Sequence, residues 1–354
     1  MAGKRQGWLK QAAIALGIGL GATVPAHGEP VPQPQRFADA TRLSAFGERP
    51  AYSPDGKRIA FIGKSYGDAF EIDLATGHTR NLTAHAPHQG FLRVQYLPNG
   101  DYLLVGPRRY NGPNTRINVE LWVLDKDLAR GFQPLGERLF EGAAVSRRDN
   151  FIAWMAFDPP LSLKPTEQWM MIAPTKPMKH YVADIAFTNG VPRIANKRAI
   201  MQTLPEVCKS MVEPQDFRDN DSELLVYCGD VTPQGGYLAH TFGYRIDSGT
   251  YNTYRQRPDE YNEAEGIAPD GSWDAVECGT PTRPGPNPLD ICRLELKPDG
   301  QRTVLVDATS SGGSIHVSNP VVSPDGRWLA FQASDYSSGE IGEGVGIYTI
   351  RIAQ

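Results

Sequence analysis

The sequence predicts an all-β chain, a six-bladed β-propeller of four-stranded antiparallel blades whose last blade is closed by an N-terminal strand. Three observations carry this expectation. A strand-turn-strand pattern around Ser-Pro-Asp-Gly occurs six times. Its copies lie about 44 to 70 residues apart, a blade-sized period once insertions are allowed. No stretch of the mature chain carries a convincing 3.6-residue apolar period, so helices have no visible place in the architecture.

The repeats can be taken in order. Ala51 to Phe61 holds the turn Ser53-Pro54-Asp55-Gly56, and Val321 to Phe331 repeats it as Ser323-Pro324-Asp325-Gly326. Gly266 to Trp273 carries Ala268-Pro269-Asp270-Gly271, and Val94 to Leu103 carries Leu97-Pro98-Asn99-Gly100. Ala144 to Trp154 and Gln215 to Leu225 keep the pattern without its proline. The turn has a physical logic: proline presets φ at the first corner, Asp bonds its own backbone, and Gly takes the left-handed position that closes the hairpin. Asp149, Asp219, Asp270 and Asp325 sit in these turns and are therefore expected to be structural. A third strand follows, as in Ala69 to Leu74, Val119 to Leu124 and Gly346 to Ile350, and an outer strand such as Thr79 to Thr83 completes a four-stranded unit.

The last repeat ends one strand short. Ala40 to Ser44 precedes the first repeat and resembles Thr79 to Thr83, so it is expected to complete the final blade and remove the open edges at the seam. The least regular stretch, Phe157 to Ala186, reads as a long loop in the third blade, and the long repeat from Glu137 to Met201 leaves room for a seventh blade.

The N-terminus reads as an export signal. Lys4, Arg5 and Lys10 precede an uncharged run from Ala12 to Val24, and small residues follow at Ala26 and Gly28. The run is shorter than the roughly 20 residues a bilayer span needs. The expected organisation is a signal peptide over 1–28, a flexible lead-in over 29–38 and a single propeller over 39–354, located in the periplasm or secreted, without a membrane span in the mature chain. Removing three basic residues from 36 leaves 33 against 40 acidic ones, a net charge of about −7. Without a basic cluster, nucleic acid and anionic membrane surfaces are poor partners. Four cysteines suit an oxidising compartment. Each hairpin that contains two of them brings the pair nearly opposite, which predicts Cys208–Cys228 and Cys278–Cys292. No compact zinc spacing occurs.

The Ser-Pro-Asp-Gly strand pair with its apolar third strand resembles the PD40 repeat, the WD40-like propeller repeat of the TolB type. The resemblance covers most of the mature chain and implies the propeller fold. It does not by itself imply an activity, because similar repeats occur in the non-catalytic half of prolyl-peptidase-like enzymes and resemble those of propeller-type polysaccharide lyases.

Propeller ligands usually bind near the central axis, where the innermost strands begin. In this sequence that places Arg49, His88, Arg93, Tyr261, Glu263, Glu265, His316 and Asn319 as candidate binding residues, with Glu48, Glu141 and Glu213 in equivalent segments. Glu263 and Glu265, two apart on a strand, would face one side. The set is rich in carboxylate, imidazole and guanidinium. It suits a polar ligand, and a divalent cation would also find oxygen donors there, although no motif asks for a cofactor. The leading expectation is a monomeric, non-catalytic binding module for an envelope protein, peptide or glycan. The alternative is a lyase-like enzyme acting on an acidic glycan, for which His240, Tyr244 and Arg255, with His85 or His88, would be the parts. Gly63-Lys64-Ser65-Tyr66-Gly67 matches a hydrolase signature, but it lies between two strands and is expected to be a hairpin turn.

Overall fold

A computed structural model describes residues 35–112, 114–164, 166–167, 172, 176–208, 211–231, 237–280, 289–310, 314–335 and 344–352. The expected signal peptide and residues 29–34 of the lead-in lie outside them. Two short strands come first, β1 (Gln35–Arg36) and β2 (Thr41–Ser44). Then follow β3 (Glu48–Tyr52), β4 (Arg58–Ile62), β5 (Ala69–Asp73) and β6 (Thr79–Asn81), paired in that order as one antiparallel sheet. A second sheet holds β7 (Arg93–Tyr96), β8 (Tyr102–Gly106), β9 (Val119–Leu124) and β10 (Gln133–Leu139). A third holds β11 (Ala143–Val145), β12 (Phe151–Phe157), β13 (Met178–Thr188) and β14 (Val191–Ile200).

The next eight strands belong to one nine-stranded sheet, whose ninth member is β1. In it β15 (Val212–Arg218), β16 (Glu223–Val231), β17 (Tyr237–Arg245) and β18 (Tyr251–Arg255) form one antiparallel run. A second run is β19 (Tyr261–Ile267), β20 (Trp273–Gly279), β21 (Asp290–Glu295) and β22 (Arg302–Asp307). A single parallel pair, Ala239 with Tyr261, joins the two runs, and β1 lies parallel to β22. The last sheet is β23 (Ile315–Val322), β24 (Trp328–Asp335) and β25 (Gly344–Arg351), with β2 antiparallel on the outer side of β25. The expected pairing of the N-terminal strand with the last repeat is present. Within the expected lead-in, Gln35 and Arg36 pair with Val306 and Asp307, and Phe37 packs on Phe331 and Tyr348.

The hairpin turns follow the sequence logic. The Ser53 hydroxyl donates to Asp55 Oδ1 at 2.6 Å and accepts the Arg58 N–H at 3.0 Å, while Gly56 sits at φ +68°. The copy at Ser323, Asp325 and Trp328 repeats these bonds at 2.6 and 2.9 Å, with Gly326 at φ +71°. The degenerate fourth turn has no glycine, and Asp219, Asn220 and Asp221 all adopt left-handed φ in its place. The long-loop expectation is corrected in part. Residues from Met178 onward form β13, because His180, Val182, Ala183 and Ile185 are buried against both neighbouring strands. Among the described residues of Glu137–Met201, the strands form the one sheet β11–β14 and the end of β10.

Burial explains why four-strand units recur. Each sheet is apolar on both faces and packs against its sequence neighbours. Ile62 and Ala69 meet Val94 and Leu104, and Leu103 and Val123 meet Ile152 and Trp154. Ala153 and Val182 meet Val226 and Phe242, and Ala275 and Ile291 meet Val317 and Phe331. Another cluster joins the first sheet to the last, through Ile59, Phe61 and Ile72 against Ala330 and Ile347. Truncating a ring as fully buried as Phe61 or Trp154 costs about 3–5 kcal/mol, so these inter-sheet layers dominate the stability. Two disulfides, Cys208–Cys228 and Cys278–Cys292, staple hairpins as expected from the sequence.

Candidate binding site in the central cavity

The first strands of the repeats, β3, β7, β11, β15, β19 and β23, converge on one cavity. In four of them the ladder slips by a bulge close to the cavity: between Glu48 and Ala51, Pro214 and Asp216, Ala264 and Gly266, and Ser318 and Val321. A bulge turns side chains out of the pleat. Arg49 and Asn319 lie within two of these bulges at φ +52° and +48°, and Glu141 takes φ +55° just ahead of β11. Left-handed backbone at non-glycine residues is costly, and here it aims charged and amide groups inward.

The cavity has a volume of about 70 Å³, and Arg49, Arg93, Glu213, Glu265 and Asn319 supply its polar wall. It opens on a wider space of about 360 Å³ that shares Gln95, Gln215 and Glu265 and reaches the repeat turns at Pro54, Pro98 and Pro269. Gly142 stands beside the narrow part because a Cβ there would lie 2.7 Å from Arg93 Nε.

Charge beside the cavity is organised around Glu141. Arg49, Arg116 and Arg93 reach its Oε1 at 3.3, 3.4 and 4.0 Å. Burial pushes the Glu141 carboxyl up, but the three guanidiniums outweigh it and hold the group below its ordinary range. Each such pair is worth about 4 kcal/mol at 4 Å for an effective dielectric near 20, so three suffice. Glu48 is fully buried and accepts from Arg49 Nη1 at 3.0 Å, Ser65 Oγ at 2.9 Å and Gly344 N at 3.2 Å.

The other carboxyls have the opposite character. Glu213 accepts from the Tyr227 hydroxyl at 2.9 Å, and the Tyr261 hydroxyl donates to Glu263. Glu265 accepts from Asn319 Nδ2 at 3.0 Å, and Glu277 from the Asn319 N–H at 2.9 Å. Burial, followed by the charge of neighbouring glutamates, raises Glu213 and Glu277 well above the carboxylate range. Burial also raises Glu263, and it lifts Glu265 to about 8. At neutral pH Glu265 therefore keeps its proton, and the wall presents its acid O–H beside the Arg49 and Arg93 guanidiniums. Three buried atoms of cavity-lining residues find no partner among the described residues: the Nε donors of Arg49 and Arg93 and the acceptor Gln95 Oε1.

Of the eight sequence candidates, Arg49, Arg93, Tyr261, Glu263, Glu265 and Asn319 join this network. His88 is held elsewhere, with Nε2 2.9 Å from Asp68 Oδ1, Nδ1 accepting from Gly90 N at 2.9 Å, and its ring on Phe91. His316 is buried on β23, where its Nδ1 accepts from Leu289 N at 3.2 Å. Two of the residues named for a lyase have partners of their own. The Tyr244 hydroxyl accepts from Met201 N, and Arg255 clasps Glu260 through Nε at 2.8 Å and Nη2 at 2.6 Å. Among the described residues no three His, Cys, Asp or Glu side chains are grouped to hold a metal ion, and no helix there is long and apolar enough to cross a membrane.

Sequence reasoning missed Arg116, Tyr227 and Glu277. The last two lie on second strands, directly opposite Glu213 and Glu263 in register, so the hairpin alignment contained the signal. Arg116 sits in a short 3₁₀ turn, Asn114–Asn118, for which no repeat position exists. The Gly63–Gly67 segment is the expected turn between β4 and β5, and it also delivers Ser65 to Glu48.

No protein-family model matches the chain, and no curated protein matches it. Among solved structures the chain is similar to regucalcin, a calcium-binding protein from Agrobacterium tumefaciens. The TM-score is 0.52 at 12% identity, over 90% of this chain and 95% of that one. It is similar to an oligogalacturonate lyase in complex with manganese at TM-score 0.52 and 13% identity, over 86% of this chain and 77% of that one. TolB from Acinetobacter baumannii is similar at TM-score 0.49 and 10% identity, over 86% of this chain; the chain spans 63% of that protein's length. At identities this low the first two likenesses show the fold, a β-propeller, and leave activity to the site.

Proposed function

We propose that the chain is an exported, monomeric six-bladed propeller, closed by Thr41–Ser44, that serves as a binding module in the cell envelope. It takes a polar tip of an envelope protein, peptide or glycan into its central cavity. The observation that carries this reading is that the cavity-lining residues Arg49, Arg93 and Gln95 hold buried atoms, two Nε donors and one Oε1 acceptor, without a partner among the described residues. Buried polar atoms are nearly always satisfied, so such a set calls for a ligand that both accepts and donates. A carboxamide, a carboxylic acid or a pair of sugar hydroxyls fits that requirement and the cavity's size. Two disulfides fit an oxidising compartment, as the basic, apolar and small-residue order of the N-terminus does.

The binding reading is preferred to the lyase because Tyr244 and Arg255 are already engaged by Met201 and Glu260. A photo-crosslinking amino acid at Gln215, on the wall of the wider space, tests the proposal in cells. One envelope partner should be recovered, and Arg93→Gln should reduce its recovery at least about tenfold, the loss of a hydrogen bond to a charged group. Equal recovery by the variant, or release of unsaturated oligosaccharides from an acidic glycan, would overturn it.

A further inference from the structure

Two grooves on the turn side of the molecule occupy equivalent places in the repeat. One lies beside β20 and β21 and is lined by Asp270, Trp273, Arg293, Asp325, Gly326 and Ile352, with a volume of about 330 Å³. The other, between the last sheet and the first, is lined by Asp325, Trp328, Thr349, Asp55, Gly56 and Leu74, with a volume of about 550 Å³. The correspondence is residue by residue. Ile352 N donates to Arg327 O as Leu74 N donates to Lys57 O, at 2.8 and 2.9 Å. Two residues beyond each tryptophan, Ala275 faces Arg293 and Ala330 faces Thr349.

That last exchange changes what each groove offers. In the first, the Arg293 guanidinium lies 4.9 Å above the Trp273 ring, and Trp273 is only 6% exposed. In the second, Thr349 is too short to reach the ring, its hydroxyl donates to Leu329 O, and Trp328 remains 41% exposed. No cation among the described residues lies over Trp328. The acids of the two flanking turns remain: Arg327 pairs with Asp325 at 2.7 Å, whereas among the described residues Asp55 Oδ2 meets only Arg58, at 3.9 Å. Leu74, 36% exposed, and Leu43 supply apolar surface for an aliphatic stem.

We infer that the seam groove docks an arginine side chain from a basic segment of a partner protein, stacked on Trp328 and paired with Asp55, in the place that Arg293 fills internally one repeat earlier. A guanidinium is the favoured cation because it stacks and forks at once, which an ammonium does not. This surface shares no residue with the central cavity and adjoins the wider space only at Tyr52 and Pro324, so it stands or falls separately from the reading given above.

The probe is the peptide acetyl-Gly-Arg-Gly-amide, titrated into the mature protein while the Trp328 indole N–H resonance, assigned with Trp328→Phe, is followed. A saturable shift is expected. The citrulline counterpart, which keeps the shape and loses the charge, should bind about fivefold more weakly. Thr349→Arg should abolish binding by filling the groove from within, and Asp55→Asn, on an exposed turn, should weaken it if Thr349→Arg proves unstable. Absence of a saturable shift, equal affinity for the citrulline peptide, or unchanged binding by both variants would overturn the inference.

Discussion

Glu265 shows at the residue scale how burial sets the chemistry of the cavity. Its carboxyl, ordinarily near 4.5, is lifted to about 8 by burial first, and then by the charge of Glu263, against the pull of Arg93. A raised carboxyl binds more protons folded than unfolded, so its stabilising contribution is complete below about pH 4.5 and is lost as pH rises through about 8. Glu213, Glu263 and Glu277 act with the same sign. The melting temperature should therefore fall between pH 5 and 8.5, and Glu265→Gln should make that fall shallower. Superimposable profiles for the two proteins would refute this assignment. The acidic candidates were legible from their position at the start of an inner strand. Which of them are raised was not legible, because that depends first on burial and then on charges such as Glu141 and Arg93, which arrive from other sheets.

The informative features at the element scale are the bulges and the staples. Strand positions followed from alternation and turn chemistry: Val119–Leu124 is found over the expected residues, and Ala69–Asp73 falls one residue short of them. The bulges at Arg49 and Asn319 were invisible because nothing in those residue types signals a left-handed backbone. The disulfide Cys278–Cys292 closes a loop of 14 residues. Closing a loop of that size is worth about 3 kcal/mol, so Cys278→Ala with Cys292→Ala should lower the unfolding free energy by about that amount in a denaturant titration. A loss below about 0.5 kcal/mol would mean that the hairpin is held by β20 and β21 pairing alone.

The seam matters most at the scale of the whole molecule. β2 covers the outer edge of β25, pairing Thr41 with Thr349 and Arg42 with Tyr348, and Arg42 donates through Nη2 to Val345 O at 2.7 Å. A mature chain that begins at Phe46 should lose this strand, melt at lower temperature and associate through the bared edge. Size-exclusion chromatography and a thermal scan read both effects, and a monomer of unchanged stability would show that the last sheet holds with three strands.

The sequence by itself determined the all-β class, the repeat, the turns, both cysteine pairs and the N-terminal strand's partner. All of these depend on local chemistry: proline and glycine at fixed corners, apolar alternation, and cysteines facing one another across a hairpin. Tertiary structure alone decided that Arg116 joins Glu141, that His88 serves Asp68 instead of the cavity, and that Trp328 stands open while Trp273 is capped. Each of those outcomes depends on residues far apart in the chain meeting at one point, and a period in the sequence carries no record of which side chains the packed sheets bring together.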